Sequence, residues 1–130
     1  MSTATPRQQT LILIADDDAR MRQTLREALH TFGYDDIIEA ADGTEAAQQV
    51  AAAHPDLVLL DLKMPKMNGI EALQTLRQLD PHLAIVILSA YPTFEGADKA
   101  FDMGAAEFVT KPFDLDHLET VVRLSLLIHA

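Results

Sequence analysis

Three carboxylates, one hydroxyl and one amine sit where short apolar runs end. Asp16 and Asp17 directly follow "LILIA", Asp61 directly follows "LVLL", Ser89 closes "LAIVILS", and Lys111 comes immediately after "AEFVT". Two like charges about 4 Å apart repel by roughly 4 kcal/mol at an effective dielectric near 20, so acids gathered at the end of buried segments call for a compensating positive charge. An all-oxygen set of this kind suits a cation, and a hydroxyl and an amine accompany it.

The intervening sequence supplies elements able to position these groups. "TLILIA", "DIIEA", "DLVLL", "LAIVILS" and "AEFVT" read as strands. Several are apolar throughout, as expected where both faces of a sheet are covered. Between them, Met21, Leu25 and Leu29 recur every four residues, and Ile70, Leu73, Leu76 and Leu79 every three. Each spacing gives a helix with one buried face. Gly33 and Gly104 stand just past the first and fourth predicted helices, where a left-handed cap favours glycine. A βα unit repeated five times implies an α/β fold with a parallel sheet and right-handed crossovers. The carboxyl ends of such strands form the ligand-binding edge, so all five groups reach one crevice.

Composition limits what the crevice serves. The chain has 130 residues, 48% of them hydrophobic, which is enough for one domain with a real core. Residues 1–9 read as a flexible N-terminal tail and 10–130 as the single domain. The formal charge of -10 disfavours direct binding of nucleic acid or an anionic membrane. With no cysteine, thiolate ligation, thiol catalysis and disulfides are excluded. No apolar run reaches membrane-spanning length, and "MSTATPRQQT" lacks the apolar core of a signal peptide. The expectation is a cytoplasmic protein. His30, His54, His82, His117 and His129 show no metal-ligand spacing and receive no chemistry.

With "ILIADDD", "LVLLDLKMPKMNG", "IVILSAY" and "GAAEFVTKPFD" in this order, the chain resembles the receiver domain of two-component response regulators over essentially its whole length. The resemblance implies a flavodoxin-like, doubly wound five-stranded parallel sheet of order 2-1-3-4-5, flanked by five helices. It makes Asp61 the phosphoacceptor for a sensor histidine kinase or phosphotransfer protein. Asp16, Asp17, Asp61 and the Lys63 carbonyl become ligands of magnesium or manganese. Lys111 is expected to pair with Asp61 at rest and with the phosphoryl group afterwards. Ser89 is the hydroxyl that bonds the phosphoryl group, and Phe108 is the switch aromatic. Lys63 and Tyr91 occupy positions that modulate the lifetime of the acyl phosphate, and the Lys111–Pro112 peptide is expected to be cis. The output is a changed surface of helix 4, strand 5 and helix 5, acting on an output domain, an effector protein or a second copy of the chain. A domain of this kind is a signalling switch, its only catalysis being magnesium-dependent self-phosphorylation and slow autodephosphorylation.

Plainer or rival readings bear on several of these residues. Asp18 stands where the first helix begins and reads as its N-cap. In the last helix, Leu115, Leu118 and Val122 read as the buried side, with Leu124, Leu126, Leu127 and Ile128 as surplus apolar surface. A small aspartyl phosphatase would need an acid two residues after its nucleophile, where this chain has Lys63. A flavodoxin-like cofactor binder would need a phosphate-cradling loop after strand 1, and "ADDDARM" has no glycine.

Overall fold

The computed structural model describes residues 10–61, 69–89, 107–111 and 113–128. In chain order these form β1 (Leu11–Ala15), α1 (Ala19–Thr31), β2 (Asp36–Ala40), α2 (Gly43–Ala53), β3 (Leu57–Asp61), α3 (Gly69–Leu79), β4 (Ala84–Ser89), β5 (Glu107–Thr110) and α4 (Leu115–Ile128). Four helices are thus counted among the described residues, and α4 is the one read as the fifth from sequence. The expected fourth helix, with Gly104, lies outside the described residues, as do Lys63, Tyr91 and Pro112. The five strands form one parallel sheet of order β2-β1-β3-β4-β5, the order that the resemblance implied.

Strand alternation divides the core into two layers. Ile12 and Ile14 of β1, Leu57 and Leu59 of β3, and Val86 and Leu88 of β4 pack with Leu25 and Leu29 of α1 and Leu118 and Val122 of α4. Their neighbours Leu13, Val58, Leu60, Ile85 and Ile87 face the other way, onto Ala46 and Val50 of α2 and Leu73 and Leu76 of α3. Successive side chains point to opposite faces of a strand, so apolar runs without alternation are what a sheet covered on both sides requires.

Local signals place the helix ends. Asp18 caps α1, its carboxylate accepting from the Arg20 N–H, and Asp42 caps α2 by accepting from the Glu45 N–H. Gly33, at φ 98°, follows α1 in the left-handed region, where glycine meets no Cβ clash. His54 closes α2 at φ 51° without that freedom, its N–H bonded to the Val50 carbonyl.

Two helix faces differ from the sequence reading. Leu79 is exposed at the end of α3, where Leu73, Leu76 and Ala72 already fill the space over the sheet. In α4, Leu115 is 50% exposed and does not join Leu118 and Val122; the buried stripe instead continues through Val121 and Ser125. Leu115 opens the first turn of α4, while Leu118 and Val122 further along the helix join the core. Leu124 and Leu127 are exposed as the surplus predicted, while Leu126 packs against the core.

Candidate acid pocket at the carboxyl edge of the sheet

Register carries the site residues to one edge. Ala15 pairs with Leu60, placing Asp16 beside Asp61; Asp61 pairs with Leu88, one residue before Ser89; and Ser89 pairs with Thr110, one residue before Lys111. The pairing extends past the strands at both sides. The Asp16 N–H donates to the Ala40 carbonyl at 3.1 Å, and the Lys111 N–H donates to the Ser89 carbonyl at 2.7 Å. Asp16, Asp61, Ser89 and Lys111 therefore stand on backbone fixed by the sheet, and Asp17 follows one residue beyond it.

Asp16, Asp17 and Asp61 each present a carboxylate oxygen within 4.8 Å of the others. Asp16 and Asp61 are buried, at 2% and 7% exposure, whereas Asp17 faces solvent. Lys111 reaches across from β5, but its closest partner is not the residue expected. Its Nζ lies 2.8 Å from Asp16 Oδ2 and 3.8 Å from Asp61 Oδ2. Asp16 stands at the end of β1, which β3 and β4 separate from β5, and it turns one carboxylate oxygen toward the ammonium. The Lys111 arm thus spans both carboxylates and favours the first.

The β1–α1 turn is built from short local bonds. Asp16 Oδ1 accepts from the Asp18 N–H at 2.9 Å, and Asp18 in turn accepts from the Arg20 N–H. Two of the turn's amides are thus used internally. A second layer lies behind it and was not found by motif reading. Arg22 Nη1 donates to the Asp16 carbonyl at 2.8 Å and its Nε donates to Glu39 Oε1 at 2.9 Å. Arg26 Nε bonds the other oxygen of Glu39 at 2.7 Å, and its Nη2 reaches the Ile37 carbonyl. Burial works to raise the Glu39 pKa, but the hydrogen bonds and charges of Arg26 and Arg22 outweigh it and hold Glu39 below the usual carboxylate value. The available signal was two arginines four residues apart on α1, flanking the stripe of Met21, Leu25 and Leu29.

Residues 12–123 match the family described as the response regulator receiver domain. The chain belongs to that family. This receiver is 37% identical to sporulation initiation phosphotransferase F of Bacillus subtilis over 112 residues, 86% of the chain and 90% of that protein. It is 38% identical over 115 residues to regulatory protein AtoC of Escherichia coli, covering 88% of the chain and 25% of AtoC, so it spans about a quarter of that relative. In structure it is similar to a CheY-like response regulator receiver domain protein from Methanospirillum hungatei, with a TM-score of 0.88 and 26% identity over 92% of this chain and 95% of that one. Receiver domains bind magnesium at an acidic pocket, and this chain has a cluster of three aspartates at the carboxyl edge of its sheet.

The donor set fits magnesium. Oxygens around that ion, bonded at about 2.1 Å, lie roughly 3–4 Å apart, so three carboxylates already within 4.8 Å need only small rotations. The exposed side at Asp17 leaves room for the waters that magnesium retains. Ser89 is buried at the end of β4, and Phe108 is half-buried on β5 against the α2/α3 layer. No helix among the described residues is long and apolar enough to cross a membrane.

Proposed function

We propose that residues 10–130 form a phosphorylation-dependent switch in which Asp61 accepts a phosphoryl group from the phosphohistidine of a sensor kinase or phosphotransfer protein. One observation carries this reading: a buried Asp61 beside two further carboxylates, with the Lys111 ammonium 3.8 Å away. An Asp61 oxygen attacks phosphorus, the phosphorus–nitrogen bond to the donor imidazole breaks, and the imidazole keeps the electron pair. Asp16, Asp17, Asp61 and the Lys63 carbonyl would hold magnesium, which offsets carboxylate charge and the charge on the transferred oxygens. Lys111 and Ser89 then meet the new phosphoryl oxygens, and Lys111 must leave Asp16 to do so.

Two negative charges and their acceptor oxygens draw Ser89 toward the edge, freeing space for Phe108 to turn inward. A contact shifts such an equilibrium only when it differs between the two states, which assigns the driving role to the Ser89 and Lys111 bonds made after transfer. The changed surface around β5 and α4 then addresses an output domain, an effector or a second copy. Lys63 and Tyr91 modulate how long the acyl phosphate lasts.

The test is incubation with acetyl phosphate and magnesium, read by a phosphate-affinity gel and by mass mapping of the modified residue. The expected result is one phosphoryl group on Asp61, lost in Asp61→Asn and in excess EDTA. Labelling that survives Asp61→Asn at parent level would overturn the reading.

A further inference from the structure

The carbonyl that Arg22 bonds is that of the peptide joining Asp16 to Asp17, the two neighbouring acids of the pocket. A trans peptide is planar, so fixing its oxygen fixes the plane and with it the directions in which both residues leave. Arg22 is itself held by Glu39, and Glu39 by Arg26, which also bonds the backbone of β2. The Ile14–Glu39 and Ala15–Ala40 pairing puts that anchor on the strand next to Asp16. The chain of bonds thus runs from β2 through about one turn of α1 to the one peptide whose orientation sets how the two carboxylates diverge.

We infer that Arg22, locked by Glu39 and Arg26, is a positioning residue that orients the Asp16–Asp17 peptide for divalent-cation binding. The inference rests on the reading of the acid pocket as a cation site. Glu39 matters here for a second reason. A bare guanidinium behind a cation site would oppose the incoming ion, and pairing with Glu39 lets Arg22 keep its geometry while offsetting its charge. Lysine cannot replace it, because one ammonium lacks the planar fork that meets a carbonyl and a carboxylate from separate nitrogens.

The two possible roles of Arg22 have opposite signs. As a nearby charge alone, it weakens cation binding and its removal strengthens binding; as a positioning group, its removal weakens binding. Magnesium and manganese affinities of the full chain are measured by calorimetry for the parent, Arg22→Gln, Arg22→Lys and Glu39→Gln, at a temperature where circular dichroism shows each variant folded. Arg22→Gln is expected to lose about tenfold, the scale of losing a group that orients a metal ligand, with Arg22→Lys recovering only part. Glu39→Gln is expected to lose less. Unchanged or tighter binding in folded Arg22→Gln would overturn the inference. Failure of the parent chain to bind either ion would instead overturn the cation-site reading itself, so the two failures are distinct.

Discussion

The crevice has two walls of different construction. The β1–α1 wall is tied by bonds at every turn: the Asp16 N–H to β2, its carbonyl to Arg22, one carboxylate oxygen to the Asp18 amide. On the β4–β5 wall the described residues show the Lys111 N–H donating to the Ser89 carbonyl and a long four-carbon arm that reaches the opposite side. A cation site gains from fixed ligands, and a switch needs a group able to change partners. Under the proposed function the two requirements are divided between the walls, and Asp16 is where they meet, since one of its oxygens serves the turn and the other holds the ammonium.

Removing the shared residue should produce the largest effect. Asp16→Asn takes away a proposed cation ligand and leaves Lys111 to Asp61, 3.8 Å away. Since groups that merely orient a ligand are worth about 10–100-fold in metal affinity, magnesium binding is expected to fall at least about a hundredfold by calorimetry. Binding within a few-fold of the parent would show that the β1 wall is not part of the cation site. The cost to stability without metal should be small by comparison. The attraction lost at 2.8 Å is offset by repulsion relieved from two carboxylates within 4.8 Å.

Loosening the other wall should have the opposite sign. In Lys111→Met the ammonium no longer competes for Asp16 Oδ2, so magnesium is expected to bind tighter, on the order of tenfold after solvent screening. The same variant should still take up phosphate at Asp61 while failing to show the response of β5 and α4, read as chemical-shift changes on adding beryllofluoride. Weaker magnesium binding in this variant would mean that the ammonium organises the acids instead of competing for them.

Much of this division was open to sequence reasoning, and the reasons it stopped are specific. Apolar runs and three- or four-residue spacing located β1, β3 and β4 and the buried faces of α1 and α3, because burial on a strand or helix is periodic. The spacing also put Asp16, Asp17 and Asp61 at strand ends and Asp18 at a cap. It did not show that Lys111 leans toward Asp16, 2.8 Å away against 3.8 Å for Asp61, since periodicity does not encode which neighbour a long side chain chooses. Nor did it reveal Arg22, Glu39 and Arg26, whose partners lie up to 17 residues apart and meet only through the β1–β2 register. The exposure of Leu115 was misread for a similar reason: a helical stripe predicts a face, but where the helix first touches the sheet depends on the packing angle.

The smallest effect concerns the outer tie of the β1 wall and is read through pH. Glu39 has a lowered pKa in the folded chain, so it binds protons less readily there than when unfolded. Its contribution is therefore fully present above the ordinary carboxylate value and is lost as pH falls through the lower, folded one. Glu39→Gln keeps the shape but not the charge, and its destabilisation at neutral pH should be about 1 kcal/mol or less, because the pair is partly solvated. Thermal melts of parent and variant without metal should differ at pH 7 and converge in acid, as the parent's Glu39 takes up its proton. Other carboxylates titrate in both proteins and cancel in the difference. A gap that stays constant from neutral to acid pH would mean that Glu39 acts by packing alone. Arg22 would then be held by shape rather than by charge, and the wall would keep its geometry in acid.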